Sequence, residues 1–542
     1  MHHQCILLAR ITVRQRRIAA VYAERCFTTS SGRGERMRVA IVGGGAAGLS
    51  TALHLAPLVS QGYISGPIDV FEADSRRGRD VGVGIWSTAL DPFENSDHDS
   101  HQLVYNDMVR HGTYIRGVGY RTPKGHWLAK STLDDSLPGL LFLREVDLIS
   151  SLRKAVHLEE LRGTVNLHSG KGFQISSIYE KSTDPWAAPL VLKNNEQSTP
   201  RDYHLIIAAD GMNSGLRKMY GGHIYKRHHL TGTEALPGPL DLPNNTPRHD
   251  WDVMGQAEAT GTQDRNYTVF RGNANMSTEE TDLGVSFQTW GERHSMRFAT
   301  VPMYYPDPKA PGKRCERQVW FATTNDQAIA AEKDPAVRRD MLLENFKDWH
   351  DPVCRLMEAT GPDDILMERA MAHKHCMGPV VNFNNVIKKI RNVQSPSSGH
   401  GPAIVYMGDA FMCIDPILAQ GFTIGMEGAA ALAKSIDYSI KAPKRSEFPQ
   451  LAFDPDALRD ELKLRHERRL GRLIHLLRAT ELVQALGQPT SGTLSGFITR
   501  AILRPLMRIT PGFIKTPIFN GMLKYSLGVP HGKTKHPEQE PK

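Results

Sequence analysis

The stretch Val39–Ser50, VAIVGGGAAGLS, constrains this chain more than any other. Its apolar run Val39, Ala40, Ile41, Val42 reads as a strand of a parallel sheet, buried on both faces. The run passes directly into Gly43, Gly45 and Gly48 at G-x-G-x-x-G spacing, and a helix-forming segment continues through Leu55. Each glycine has a separate task in a strand, turn and helix of this kind. Gly43 makes the turn. Gly45, followed by Ala46 and Ala47, lets a pyrophosphate approach the backbone, and Gly48 lets helix and strand pack closely. The helix N-terminus then faces the phosphate charge. A second apolar run, Ile68–Glu72, ends in an acid 24 residues beyond Gly48, where a ribose-binding carboxylate belongs. Turn and acid together point to a bound dinucleotide rather than to a bare strand–helix junction.

A chain of 542 residues can bury two or three cores. Its formal charge of +8 raises a nucleic-acid reading, but the basic residues gather at the two ends instead of in one patch interleaved with aromatics. Nucleic acid is therefore not an expected partner. The six cysteines show no C-x-x-C pair or metal-ligand spacing and read as reduced thiols. Residues 1–36 carry Arg10, Arg14, Arg16, Arg17, Arg25, Arg33 and Arg36 against Glu24 and Glu35. This leader resembles a mitochondrial presequence with a matrix-peptidase-like site at Arg25-Cys26-Phe27; a plastid transit peptide or a disordered basic leader are the alternatives. No apolar run reaches the roughly 18 residues of a spanning helix.

Further along, Gly82-Val83-Gly84-Ile85 reads as part of a glycine-broken loop open to a flat ligand, and Tyr120–Lys130 as a hairpin about its Pro-Lys-Gly turn. Leu141–Arg153 reads as a strand running into a helix, with Arg144 at the junction. The buried run Leu205–Ala208 leads into DGMNSGLR. Gly211 permits the turn there, Ser214 caps a new helix, and Asp210 and Arg217 are expected to project into the crevice at the strand ends. Residues 221–394 are richer in Thr, Asn, Pro and Trp and predict a sheet-rich region. His223, His228, His229, His373 and His375 within it lack the spacing of a metal set and read as surface or core histidines. Buried-strand character returns at Ala403–Met407. Gly408-Asp409 closes that strand, Pro416 fixes a loop, and Gln420-Gly421-Phe422 open a long alanine-rich helix. This end supplies a carboxylate for a sugar-like hydroxyl and a helix N-terminus for an electron-rich ring.

These three junctions, in this order, resemble the class A FAD-dependent aromatic monooxygenases, the family of p-hydroxybenzoate hydroxylase, kynurenine 3-monooxygenase and the ubiquinone-pathway hydroxylases. The likeness runs over Arg38–Ser435. It implies an α/β fold: a Rossmann-like FAD-binding domain split into 37–220 and 395–440, an inserted sheet-rich α+β substrate domain at 221–394, and a helical tail at 441–542. It further implies that Glu72 binds the adenosine ribose, Arg144 and Asp210 lie along FAD, Asp409 bonds the ribityl chain, and the helix from Gln420 faces the flavin pyrimidine edge. The implied reaction is ring hydroxylation by O2 through a flavin C4a-hydroperoxide, with NAD(P)H or ferredoxin as electron donor. No catalytic acid or base is named by it, and His400 is the one candidate near the last flavin strand. The chain departs from the family at Phe411, Met412, Ala419 and Thr423, at Gly428 where an acid is usual, and at Leu148, one residue late after Arg144. These differences bear on the flavin edge.

From Asp456 the chain is helical and basic. Between Leu494 and Pro530 there is no acid, and Arg500, Arg504 and Arg508 fall four apart among Ile498, Ile502, Leu503 and Leu506, which predicts a basic, apolar-faced helix suited to an anionic membrane surface. Pro505 is expected to kink it. Leader, core and tail together point to a lipid-tailed phenol or benzoquinone precursor of ubiquinone as substrate, at the matrix face of the inner membrane. A kynurenine 3-monooxygenase-like enzyme and a non-catalytic flavoprotein scaffold are the alternatives. A flavin halogenase is disfavoured because no W-x-W-x-I-P occurs among the seven tryptophans.

Overall fold

Four-residue runs that are apolar throughout need cover on both faces, and the computed structural model gives it to them. It describes residues 34–74, 78–133, 137, 139–179, 186–193, 197–220, 262–276, 285–291, 296–307, 309–310, 312–373, 381–382, 401–441, 451–487 and 498–527. In chain order the strands are β1 (Val39–Val42), β2 (Ile68–Glu72), β3 (Gly82–Trp86), β4 (Thr113–Ile115), β5 (Gly117–Arg121), β6 (Trp127–Thr132), β7 (Leu140–Arg144), β8 (Val165–Ser169) and β9 (Ile175–Ile178). There follow β10 (Leu190–Leu192), β11 (Leu205–Ala208), β12 (Thr262–Ala274), β13 (Val285–Trp290), β14 (Arg297–Pro306), β15 (Arg314–Thr324), β16 (Leu366–His373), β17 (Val381–Asn382) and β18 (Ala403–Tyr406).

Among the described residues, β17-β18-β11-β1-β2-β8 form a six-stranded sheet in that order, parallel except for β17. Every residue of β1, β11 and β18 is buried. Helices Ala46–Ser60, Glu145–Leu161 and Gly421–Lys441 cover one face through a core that includes Leu49, Leu53, Leu152, Met426 and Ala429. The chain leaves β1 toward β2 on one side, while β11 lies on the other. The strand order thus reverses at β1, and the crevice outside the strands' carboxyl ends opens there.

A seven-stranded sheet, β16-β12-β15-β14-β13-β5-β6, stands beside it, backed by helices Pro335–Phe346 and Val353–Glu358 through Phe270, Phe298, Trp320 and Phe346. The sheet-rich region was expected within 221–394, yet this sheet recruits the hairpin β5–β6 from far earlier, with β5 parallel to β13. The hairpin's Tyr120 and Leu128 are buried in the cluster that includes Trp290 of this sheet. Gly82–Ile85 likewise differs from its expected loop. It is β3, paired antiparallel with β7, and a Cβ at Gly82 would fall 2.7 Å from the Met303 sulfur, one at Gly84 3.0 Å from the Phe142 ring. These glycines make room for the Met303 and Phe142 side chains. His223, His228, His229, His375 and His400 lie outside the described residues, as does the basic leader up to residue 33.

The helix Pro455–Gly487 runs along Gly421–Lys441, and the helix Gly512–Leu527 packs on that long helix and on β6. Its Phe519, Leu523 and Leu527 are buried with Tyr120, Leu128 and Trp290. Of the basic face predicted for Arg500, Arg504 and Arg508, Arg504 is buried instead. A π-helical turn, Thr499–Leu503, precedes the helix Arg504–Ile509; Arg504 points inward and donates to the Gly291 carbonyl at 2.6 Å, while Arg508, one turn on in the same helix, is exposed. Pro505 sits in the first turn of the new helix, directly after the π-helical turn. No described helix is long and apolar enough to cross a membrane.

Candidate functional site

Four strand tips build the crevice. At the tip of β1, Gly43 has φ +111° and a Cβ there would meet the Ala209 carbonyl oxygen at 2.1 Å, so no other residue fits. A Cβ at Gly48 would meet the Gly43 oxygen at 1.9 Å. Gly45 is the opposite case: it is exposed and a Cβ would meet nothing within 4 Å, which leaves backbone open to an approaching group. Glu72 at the tip of β2 is tied to this turn, with Oε2 accepting from Gly44 N at 2.5 Å and Oε1 from Asp74 N at 2.6 Å. Ala46 begins the helix, and Ala47 lies where a Cβ on Gly408 would come within 2.8 Å and one on Gly425 within 3.2 Å. Small residues on both sides therefore bring the helices Ala46–Ser60 and Gly421–Lys441 together under the crevice.

At the tip of β11, Asp210 Oδ2 accepts from Gly215 N at 2.9 Å, while its buried Oδ1 has no partner among the described residues. Burial raises its carboxyl, against the hydrogen bonds from Ser214, Leu216 and Gly215. Gly211 turns the chain at φ +80°. Ser214 accepts from Arg217 N at 2.9 Å, the expected cap. Arg217 does not project into the crevice. It is fully buried and donates to the carbonyls of Ala410 at 3.0 Å and Phe411 at 2.6 Å, tying the loop after β11 to the loop after β18. His373 adds a second tie, bonding Met212 O through Nε2 and accepting from Cys413 N through Nδ1, both at 2.9 Å. Burial and then the Arg217 charge push this imidazole down to about 4, so it is neutral.

At the tip of β18, Asp409 is open to solvent yet ringed by protein, as a crevice-lining group is. Burial raises its carboxyl to about 6 against the pull of Arg79. Pro416 starts a single 3-10 turn, and Ala419 takes the left-handed conformation at φ 50°. Gln420 is 1% exposed with Oε1 unpartnered among the described residues. Helix Gly421–Lys441 then begins with the bond from Ile424 N to Gln420 O, which leaves the N–H groups of Gly421, Phe422 and Thr423 without an intrahelical acceptor among the described residues. A Cβ on Gly421 would meet nothing within 4 Å.

Several site residues were not singled out in the sequence. Asp415, 3% exposed, accepts from Arg265 Nε at 3.0 Å, Tyr267 OH at 2.7 Å and Ile417 N at 3.0 Å, and Gln288 donates to Ile417 O at 3.0 Å. The large sheet thereby grips the loop that leads into the helix. An acid inside the otherwise apolar Cys413–Leu418 was the visible signal. Arg144 stands at the β7–helix junction as expected, but Asp147 holds its guanidinium at 2.7 and 2.8 Å and Asp80 at 3.4 Å. The cation felt at Asp409 is Arg79, which also pairs with Glu145 and Glu368. Gly428, the position of a usual acid, is small because Arg469 lies there: a Cβ would fall 2.5 Å from its Nη1, and its Nη2 donates to Ile424 O at 3.1 Å.

No family model matches the chain. It is 22% identical over 425 residues to the chloroplastic zeaxanthin epoxidase of Nicotiana plumbaginifolia, covering 77% of this chain and 50% of that protein. The chain thus spans about half the length of that curated relative. Among solved structures, Klebsiella pneumoniae HpxO complexed with FAD and uric acid superposes with a TM-score of 0.58 at 17% identity, over 92% of this chain and 98% of that one. Pseudomonas aeruginosa PqsL in complex with 2-aminobenzoylacetate gives 0.52 at 14% identity, over 88% and 99%. The chain shares this α/β fold, with its Rossmann-like domain, sheet-rich second domain and C-terminal helices.

Proposed function

We propose that this protein is an FAD-dependent monooxygenase that hydroxylates the aromatic ring of a lipid-tailed phenol or benzoquinone precursor, of the kind used in ubiquinone biosynthesis. The observation that carries the reading is the convergence of Gly45, Glu72, Asp210, Asp409 and a free helix N-terminus at the strand-order reversal. These residues fit FAD. Open backbone at Gly45 and the helix behind it suit the pyrophosphate, and Glu72 suits the adenosine ribose. Asp409 and the unpartnered Oδ1 of Asp210 offer acceptors to hydroxyl and ring N–H donors. The similar structure of HpxO was solved with FAD and supports the choice.

FAD bound there would supply electron storage and activation of O2, drawing on NAD(P)H or ferredoxin. The chain's own residues do the rest. The free N–H groups of Gly421, Phe422 and Thr423 stabilise negative charge at the ring edge. Asp415, Gln288 and the large sheet fix the adjoining loop and keep water from it. Arg217 and His373 hold the two flavin-facing loops at a constant separation. The basic leader favours a mitochondrial address, or else a plastid one, and the basic, apolar tail favours peripheral attachment to a membrane. The similarity to zeaxanthin epoxidase favours a second reading, oxygen transfer to an alkene of an isoprenoid.

A mass-spectrometric survey of lipids in cells lacking the gene tests the substrate. A prenylated quinone precursor short of one ring hydroxyl is expected. Accumulation of an unepoxidised isoprenoid would favour the second reading, and an unchanged lipid profile would refute both.

A further inference from the structure

We infer that the outer face of the two C-terminal helices docks on an anionic lipid bilayer. The inference rests on the attachment proposed above and deepens it by assigning the residues and the lipid charge. Six large apolar side chains point outward in one short segment: Ile502, Leu506, Ile509, Phe513, Ile514 and Ile518, with Ile509 at 76% and Phe513 at 79% exposure. Such a concentration is unlike the scattered apolar residues of an ordinary surface. The face is not an unfinished core contact. The opposite side of the same helices is already packed, through Phe519, Leu523 and Leu527 and through Arg504 on Gly291. Ile502 faces outward and Arg504, two positions on, faces inward.

Charge selects the occupant. Residues 494–530 contain no acid, and with Arg504 turned inward the cations these helices leave to solvent are Arg508, Lys515 and Lys524. A bilayer with anionic headgroups accepts apolar side chains and a one-signed rim together, whereas a second copy of the face would set like charges against each other. The helices Arg504–Ile509 and Gly512–Leu527 are short and broken at Pro511, so they lie along a surface and do not span it.

The test is flotation of the full chain, supplied with FAD, with phosphatidylcholine vesicles made with and without phosphatidylserine. Binding is expected with the anionic vesicles and should weaken with salt. The double substitution Ile509→Glu, Phe513→Glu should lower the bound fraction at least about tenfold, with circular dichroism and flavin absorbance unchanged. Absence of flotation by the wild type, or equal flotation by the variant, overturns the proposal. So does a dimer in light scattering that the variant dissolves while vesicles capture nothing. Flotation of a chain that takes up no flavin would instead refute the catalytic reading and leave the docking face standing.

Discussion

Replacing Asp415 by alanine removes a buried acceptor on which two side chains of the large sheet and the loop before the helix Gly421–Lys441 converge. Three donors lose their partner: Arg265 Nε at 3.0 Å, Tyr267 OH at 2.7 Å and Ile417 N at 3.0 Å. Breaking a buried ion pair from one side costs about 3–5 kcal/mol, and an orphaned buried hydroxyl about 1–3 kcal/mol, but the two are not additive. Arg265 retains 18% of its side-chain exposure and also donates to Gln484, so it can partly resolvate. About 3 kcal/mol of lost stability is therefore the expected total. Asp415→Asn keeps one acceptor oxygen and should cost roughly 1–2 kcal/mol. Urea denaturation followed by fluorescence measures both. A loosened loop should also release flavin during gel filtration from the alanine variant before the asparagine one. An alanine variant within about 0.5 kcal/mol of wild type that keeps its flavin would refute the clamp.

Gly48→Ala puts a Cβ 1.9 Å from the Gly43 oxygen, and the chain should express poorly or lose flavin, which absorbance of the purified protein reports. Glu72→Gln should weaken FAD binding about tenfold, measured by titration of the apoprotein, with little change in the urea midpoint. His373 gives a pH dependence. Its folded value near 4 lies below the unfolded 6.5, so its contribution is whole above pH 6.5 and drains away as pH falls toward 4, by roughly 3 kcal/mol at most. In His373→Gln the urea midpoint should be flatter across that window. Asp409 runs the other way: its raised carboxyl favours the apoprotein as pH falls through about 6, and Asp409→Asn should remove that rise while lowering flavin affinity.

What could be read in the sequence was what the backbone demands. Gly43 and Gly48 are legible because their places admit no Cβ, and β1, β11 and β18 because uninterrupted apolar runs must be covered on both faces. Side-chain direction was not legible. Arg217 was expected in the crevice and instead spends its guanidinium on two carbonyls nearly two hundred positions away. Gly82 and Gly84 looked like a loop because the side chains that fill their space, Met303 and Phe142, are remote or across a strand pair. Gly428 could not be explained without Arg469, nor the inward turn of Arg504 without the Gly291 carbonyl it meets. The recruitment of β5–β6 into the large sheet is a pairing between distant segments, which local periodicity does not encode.

The most direct test of the central claim uses the purified, FAD-loaded chain, a reduced pyridine nucleotide or ferredoxin, a prenylated phenol and oxygen-18 gas. The expected product carries oxygen-18 from the gas on its aromatic ring, and none is expected from a Gly48→Ala chain that fails to hold flavin. A product labelled only from water, or substrate left unchanged by a flavin-loaded chain under every donor, would contradict that claim.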